Sequence, residues 1–307
     1  MNILVSIITS SYNMKRYLQA FLENIPQQKS FDYTEIILAH NEPDQEEIAW
    51  VNNFQKKHPN KLKHLIFNNV TPLGVSWNQC IKQATGKFLT IWNIDDIRTK
   101  NSIELQAKTL IENNNIDFVY GNFHTTNKFG NLSGELIKCD NIPQPELTRS
   151  MVLGPFFMFR KKILQKTGYF DEQFKSAVDF DFAIRLALHG QAMHIPWSLG
   201  YFLNEGKGLS TKTSSRNDIE RTAIELRYGI YDKMDYNFLP EATSQYNILN
   251  ILQQNKLYHV SKFVPQYEDF IQKRKKMWFN KGIKRFYTLY KKQNNIIQKI
   301  RTILKPI

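Results

Sequence analysis

Lys87-Phe-Leu-Thr-Ile-Trp-Asn-Ile-Asp-Asp96 carries an almost continuously apolar run straight into two adjacent carboxylates. Its first six residues, Lys87–Trp92, have the length and composition of a strand buried on both faces. Runs of the same kind stand at Ile3–Ile8, Thr34–Ala39, Leu62–Phe67 and Asp117–Tyr120. Helical patterns separate them. Lys15–Asn24 sets Tyr17, Leu18, Phe21 and Leu22 on one face, and Glu46–Lys57, Val75–Ala84 and Ser102–Asn113 follow. Strand and helix in this alternation predict an α/β fold with a parallel sheet covered on both faces. Such sheets bind ligands beyond the carboxyl ends of their strands. The loops after Ile8, Ala39 and Trp92 are therefore where chemistry is expected. Further on, Asn122–Ser150 loosens into a polar stretch and Met151–Phe159 is strand-like. Phe180–Leu188 and Thr222–Asp232 are predicted helices, as is Gln245–Tyr258.

The 307 residues fit one large α/β domain with an appendage, or two modest domains. A 42% apolar and 13% aromatic content supports a real core and excludes a disordered or fibrous chain. The net charge of +13 is unevenly placed. Residues 271–307 hold 12 of the 41 Lys and Arg and no Asp or Glu, which leaves 29 basic against 28 acidic side chains elsewhere. Two cysteines, Cys80 and Cys139, make no disulfide framework and have no zinc-ligand neighbours, so a reducing compartment is expected. No signal peptide and no spanning segment is read, leaving a protein that is not threaded through a membrane but is able to rest on one.

Asn93-Ile-Asp-Asp96 follows its strand immediately. Two adjacent carboxylates there are costly unless a cation neutralises them. A hard ion such as Mg²⁺ or Mn²⁺ takes one or two carboxylates together with substrate phosphates, which suits a nucleotide diphosphate donor. The plain alternative is that Asp95 and Asp96 cap the next helix. Asp179 and Asp181 likewise head a helix bearing Arg185, either as dipole-stabilised carboxylates or with one of them as a general base for an acceptor hydroxyl.

Taken in order, several segments resemble the family 2 glycosyltransferases of GT-A fold. They are Val5-Ser-Ile-Ile-Thr-Ser-Ser-Tyr-Asn13, Glu35-Ile-Ile-Leu-Ala39, Leu73-Gly-Val-Ser-Trp-Asn78 and Gly86–Asp96, then Gly154-Pro-Phe-Phe-Met-Phe-Arg-Lys161, Gly168-Tyr-Phe-Asp-Glu172 and Val178-Asp-Phe-Asp-Phe-Ala-Ile-Arg185. The resemblance covers roughly residues 3–210 and implies a mostly parallel, Rossmann-like sheet flanked by helices. It divides the chain into a transferase domain at 1–210, a helical extension at 211–262 and a basic amphipathic tail at 263–307. Within the first, 1–121 would bind the nucleotide sugar and 122–210 the acceptor. The resemblance places Thr9, Ser10, Tyr12, Asn13, His40, Asn41, Asn78, Asn93 and Asp95 at the donor. It makes Asp96 the main ligand of a divalent metal, Mn²⁺ or Mg²⁺, with Asp95 beside it. Asp179 becomes the catalytic base, with Asp181 and Arg185 supporting its helix, Arg185 through a salt bridge. The implied reaction is inverting transfer from a nucleotide-diphosphate sugar, expected to be a UDP-sugar, to a hydroxyl of a glycan or lipid-linked acceptor.

Four positions depart from the family pattern. His40 and Asn93 stand where Asp is usual, Trp77 where Arg is common, and Val178 where Glu often precedes the base. They are read as altered donor preference, with a catalytically silent glycan- or nucleic-acid-binding module as the alternative. The histidines show no ligand spacing, and Trp50, Trp92 and Trp197 are expected to pack, Trp92 also being placed to meet a sugar. Gly206-Lys-Gly-Leu-Ser210 is either a plain surface loop or a hinged loop over the donor, with Lys207 meeting a phosphate. In the tail, Ile283, Phe286, Tyr290, Ile297, Ile300, Leu304 and Ile307 recur at helical spacing among the cations. That is the pattern of an interfacial helix on an anionic membrane, each cation contributing on the order of 1 kcal/mol. The expected location is the cytoplasmic face of a membrane, peripherally bound, and nucleic acid is the disfavoured rival partner.

Overall fold

The computed structural model describes residues 3–139, 142–149, 152–206, 215–232, 234–246, 248, 250–253, 256–265, 267–269, 271–273 and 276. They fall into two compact units, Met1–Glu220 and Arg221–Ile307.

In the first unit, β1 (Val5–Ser11), α1 (Lys15–Asn24), β2 (Thr34–Asn41), α2 (Gln45–Lys57), β3 (Leu62–Phe67), α3 (Leu73–Gln83) and β4 (Phe88–Ile91) alternate as expected. β5 (Ile97–Arg98), α4 (Ser102–Glu112), β6 (Phe118–Thr126), β7 (Glu135–Ile137), α5 (Gln144–Leu147) and β8 (Met158–Arg160) follow. α6 (Leu164–Thr167), α7 (Val178–His189) and β9 (Ala192–Leu203) complete the sheet, and the boundary between the units falls within α8 (Ser215–Tyr228). The strand order is β3-β2-β1-β4-β8-β6-β9-β5, with β7 on β6. β3, β2, β1 and β4 pair in parallel, so their carboxyl ends share one edge. β8 then runs antiparallel to β4 and to β6, while β9 lies parallel to β6. The sheet is thus mixed, parallel in its first half.

The reasons are local. β1 and β2 are buried along nearly their whole length, as a central parallel strand with helices on both faces must be. α1 sends Tyr17, Leu18, Phe21 and Leu22 inward, and α2 opens on a capping box between Asp44 and Glu47. Glu35 of β2 is buried, yet accepts from Ser6 Oγ at 2.7 Å and from Thr85 N at 2.6 Å, with Lys63 Nζ 3.1 Å away. Burial opposes its charge, and these donors outweigh burial and hold the carboxyl below its ordinary value.

Four expectations are corrected. β1 begins at Val5 and runs to Ser11, because Thr9, Ser10 and Ser11 stay in the ladder opposite Leu38, Ala39 and His40. The stretch after Asn122 is not loose: β6 continues to Thr126 through polar residues that pair with β7 and β9. Among the described residues of 151–159 only Met158 and Phe159 are strand, although Phe156 and Phe157 are buried beside them. β9 carries no alternating signal because Pro196 and Trp197 drop out of register between Ile195 and Ser198. That bulge leaves Trp197 65% exposed, where packing was expected.

In the second unit, α9 (Leu239–Gln245) is followed by an antiparallel pair, β10 (Asn250–Gln253) and β11 (Lys256–His259), which replaces the helix expected at Gln245–Tyr258. Ile251 is in register with Tyr258, and Leu252 with Leu257. Leu226, Met234, Leu239, Val260, Val264 and Tyr267 form this unit's own core. Of the 263–307 tail, residues 266, 270, 274, 275 and 277–307 lie outside the described residues, as does Lys207.

Candidate active site

The carboxyl ends of β1, β2 and β4 lie side by side, because parallel pairing puts them there. Just beyond β1, Asn13 has a φ of 54°, and just beyond β2, Glu42 has a φ of 48°. Left-handed backbone is uncommon outside glycine and collects at functional sites, so two such residues on adjacent strand ends mark this edge. Tyr12 and Asn13 are exposed there and Ser10 is half-buried. Thr9 and Ser11 turn inward, and neither hydroxyl has a hydrogen-bond partner.

The acidic turn stands next to them. Trp92, fully buried against Phe21, donates its indole N–H to Asp96 O at 3.0 Å. Asp96 itself is 3% exposed. Its Oδ2 accepts from Asn93 Nδ2 at 3.1 Å, and its Oδ1 from Leu203 N of β9, also at 3.1 Å. Burial, then the neighbouring Asp95 carboxylate, push the Asp96 carboxyl well above the usual range. Burial raises Asp95 too; Arg16 opposes and Glu205 adds to it. Arg16 in turn is ion-paired with Glu205 at 2.5 Å, and Tyr17 Oη donates to the same carboxylate at 3.2 Å.

Under this turn lies a residue the sequence reading passed over. Arg98, 2% exposed, donates from Nη2 to Thr90 Oγ1 at 2.6 Å and Ile91 O at 2.8 Å. From Nη1 it reaches Gln106 Oε1 at 2.9 Å and Ser102 Oγ at 3.4 Å. Its guanidinium sits 5.6 Å from the Trp92 ring and 5.1 Å from that of Phe156. Burial pushes Arg98 down to about 9, which leaves it cationic at neutral pH, and Asp96 opposes that shift. The signal available was an arginine two residues past an acidic pair, a pattern equally typical of a solvated turn.

A divalent ion fits this donor set. Asp95 and Asp96 offer oxygens, as a hard cation needs, and burial raises both carboxyls, a cost that a bound cation would offset. Among the described residues no group of three His, Cys, Asp or Glu surrounds one point, so further positions would belong to water or phosphate oxygens.

Other expected donor residues are occupied structurally. His40 is 1% exposed, its Nδ1 3.1 Å from His64 Nε2 and its Nε2 3.6 Å from Glu47 Oε1. Burial lowers both imidazoles, His64 to about 4 with His40 adding to the shift. Both are therefore neutral at pH 7, and His40 does not open onto the cleft. Asn41 is also buried; its Oδ1 accepts from Thr71 N at 2.8 Å, tying β2 to the approach to α3. Asn78 Nδ2 donates to Phe170 O and to Glu172 Oε1, both at 2.9 Å, while Phe170 N donates to Asn78 Oδ1 at 2.9 Å. Its amide is saturated, and it fastens α3 to the segment leading into α7. Trp77 is buried against Phe170, which explains an apolar ring at that position.

α7 brings the second carboxylate. A Cβ built on Gly74 would lie 3.3 Å from Val178 Cγ2, so the first turns of α3 and α7 meet through a glycine and a valine. α3 begins beyond the carboxyl end of β3, and this contact brings the start of α7, with Asp179, beside it. Asp179 is partly exposed, and its Oδ1 accepts from Phe180 N at 2.9 Å. Asp181, fully buried, is clasped by Arg185 at 2.5 and 2.9 Å. Arg185 Nη1 also donates to Thr167 O at 2.5 Å and Tyr169 O at 2.7 Å. Those two residues hold the helix in place.

Known proteins agree with this architecture. Residues 1–349 of Staphylococcus aureus TarS in complex with UDP-GlcNAc superpose with a TM-score of 0.60 at 19% identity, over 80% of this chain and 72% of that one. The Pyrobaculum calidifontis mannosyltransferase in complex with GDP-Man and Mn²⁺ gives 0.54 at 15% identity, over 89% and 75%. Both likenesses establish the fold, GT-A. An uncharacterised glycosyltransferase of Methanocaldococcus jannaschii is 30% identical over 190 residues, 59% of this chain and 64% of that protein. The Escherichia coli UDP-Glc:α-D-GlcNAc-diphosphoundecaprenol β-1,3-glucosyltransferase is 25% identical over 49% of this chain and 57% of its own. The chain thus spans less than two thirds of the length of these relatives. The family model for glycosyl transferase family 2 matches residues 6–168, from β1 to the end of α6, and the chain belongs to that family.

Proposed function

We propose that the protein is an inverting glycosyltransferase that moves a sugar from a nucleotide-diphosphate donor, a UDP-sugar by preference, to a hydroxyl of a glycan or lipid-linked acceptor. The observation that supports this reading is a buried acidic turn directly after β4, together with a partly exposed carboxylate, Asp179, heading a helix that packs on the start of α3. Relatives that use UDP-glucose on a diphosphoundecaprenol-linked sugar, and solved folds that hold UDP-GlcNAc, support the donor and acceptor classes.

In this mechanism Tyr12 and Asn13, exposed at the end of β1, face the nucleotide, and Asp95 and Asp96 lie towards the diphosphate. Asp179 takes the proton of the acceptor hydroxyl. The acceptor oxygen forms its bond to the anomeric carbon from the face opposite the diphosphate, whose bond to that carbon breaks with the electron pair leaving on the phosphate oxygen. One displacement through an oxocarbenium-like transition state inverts the configuration. A divalent ion held by Asp95 and Asp96 would neutralise the charge growing on the leaving diphosphate. Arg185 and Asp181 keep α7 from turning while Asp179 accepts its proton.

Thermal unfolding tests the donor and metal assignments together. Mn²⁺ with UDP-glucose, UDP-GlcNAc or GDP-mannose is expected to raise Tm by about 5–10 °C at 100-fold excess over Kd, for one donor above the others. Asp96→Ala should abolish the shift. Protons compete with the ion for two carboxyls whose pKa is raised by burial, so the shift should weaken on acidification, starting at a higher pH than for an ordinary carboxylate. No shift with any donor or metal would favour a catalytically silent binding module.

Peripheral attachment through 271–307 is proposed on sequence alone. Among the described residues no helix is long and apolar enough to cross a membrane. The full chain is expected to co-sediment with vesicles containing phosphatidylserine at 0.1 M salt and to be released at 1 M. Equal binding to neutral vesicles would rule out the electrostatic tail.

A further inference from the structure

Glu220 belongs to none of the segments that resemble the family, yet it closes the turn that launches α7. Its side chain is fully buried. Lys175 N donates to its Oε1 at 3.0 Å and to Oε2 at 3.1 Å, Ser176 N to Oε2 at 2.8 Å, and Ala177 N to Oε2 at 2.9 Å. Ser176 Oγ adds a fourth donor at 3.0 Å. Three successive backbone N–H groups therefore converge on one carboxylate brought from more than 40 residues away, an anion nest filled by the chain itself.

The position of this nest gives it a consequence. Ala177 donates to Glu220 and at the same time accepts from Asp181 N at 3.2 Å, the bond that closes the first turn of α7. Asp179 lies inside that turn. No side chain caps α7 from within its own segment, since Ala177 at the cap has none to offer. The amides leading into α7 need acceptors, and Glu220 supplies one for three of them in a row. Glu220 thus satisfies the amides upstream, and within the first turn Asp179 Oδ1 accepts from Phe180 N.

We infer that Glu220 is a positioning residue for the reaction: it saturates the 175–177 amides and so fixes the turn from which Asp179 works. This rests on the reading of Asp179 as the base.

The test compares wild type, Glu220→Gln, Glu220→Asp, Asp179→Asn and the Glu220→Gln/Asp179→Asn double variant of the full chain. Gln keeps the volume but turns an amide donor towards the N–H groups, and Asp keeps the charge on a shorter stem. Hydrogen exchange read by mass spectrometry should quicken about tenfold at amides 175–177 in Glu220→Gln, with β1–β4 unchanged. Nucleoside diphosphate release is followed with UDP-glucose, UDP-GlcNAc and GDP-mannose in Mn²⁺. It should fall about 10- to 100-fold in kcat with the donor KM unchanged, be partly restored in Glu220→Asp, and show no further loss in the double variant beyond Asp179→Asn alone. Unaltered exchange at 175–177 overturns the inference, and so do losses that multiply in the double variant. If Asp179→Asn turns over like wild type, the base reading falls and the inference with it. If Asp179→Asn is impaired while Glu220→Gln is not, only the inference falls.

Discussion

Asp179→Asn is expected to lower kcat by about 10²- to 10⁴-fold while the donor KM stays within about twofold, measured as nucleoside diphosphate release with acceptor present. Asn is nearly isosteric, and its amide oxygen can still accept from Phe180 N, so α7 should keep its first turn. What disappears is the ability to take a proton. Donor binding is assigned to the ends of β1 and β4, on different segments of the chain, which is why KM should not follow kcat. A parallel loss of both would show that Asp179 holds the donor, and a kcat within about twofold of wild type would remove it from the chemistry. The loss should be insensitive to the choice of nucleotide sugar, since deprotonation concerns the acceptor.

Arg98→Met is expected to cost about 3–5 kcal/mol of stability, read as a lower urea midpoint. Methionine fills much of the volume between Trp92 and Phe156 but leaves Gln106 Oε1, Ile91 O and Thr90 Oγ1 without their buried donor. Gln106 also bonds Phe156 O at 2.5 Å, so the loss reaches from β4 to the segment before β8. Arg98→Lys should recover little, because a single ammonium cannot span Thr90 and Ile91 on one side and Ser102 and Gln106 on the other. A second consequence is electrostatic. Arg98 is the cation that restrains the rise of the Asp96 carboxyl, so its removal drives that group still higher. The sign follows: metal-dependent donor binding in any folded Arg98 variant should need a higher pH than in wild type. An unchanged midpoint together with an unchanged pH dependence would show that Arg98 supports neither the turn nor its charge.

Much of this was legible in the chain. β1 to β4 with their helices, the acidic turn at a strand end, and a carboxylate heading a later helix follow from patterns that are local: hydrophobic period, strand length and residue order. The Asp181–Arg185 pair was readable for the same reason, since residues four apart on a helix are neighbours. His40, Asn41 and Asn78 show where such reading stops. Each sits where donor contact is expected, and each has a polar group engaged by the protein: His40 Nδ1 with His64, Asn41 with Thr71, Asn78 with Phe170 and Glu172. A buried polar side chain must find partners, and which partners are near is a property of packing.

The sequence by itself determined the α/β alternation, the acidic pair after β4 and the carboxylates heading α7, because all three depend on spacing along the chain. Only the tertiary structure decided that β9 crosses the sheet with Pro196 and Trp197 out of register, and that residues 250–259 pair as a hairpin. It alone set Arg98 under the acidic turn and closed the nest before α7 with Glu220. These depend on contacts between segments far apart in sequence. A strand interrupted by a bulge has no period to read, and a buried charge carries no mark of the partner that folding will bring to it.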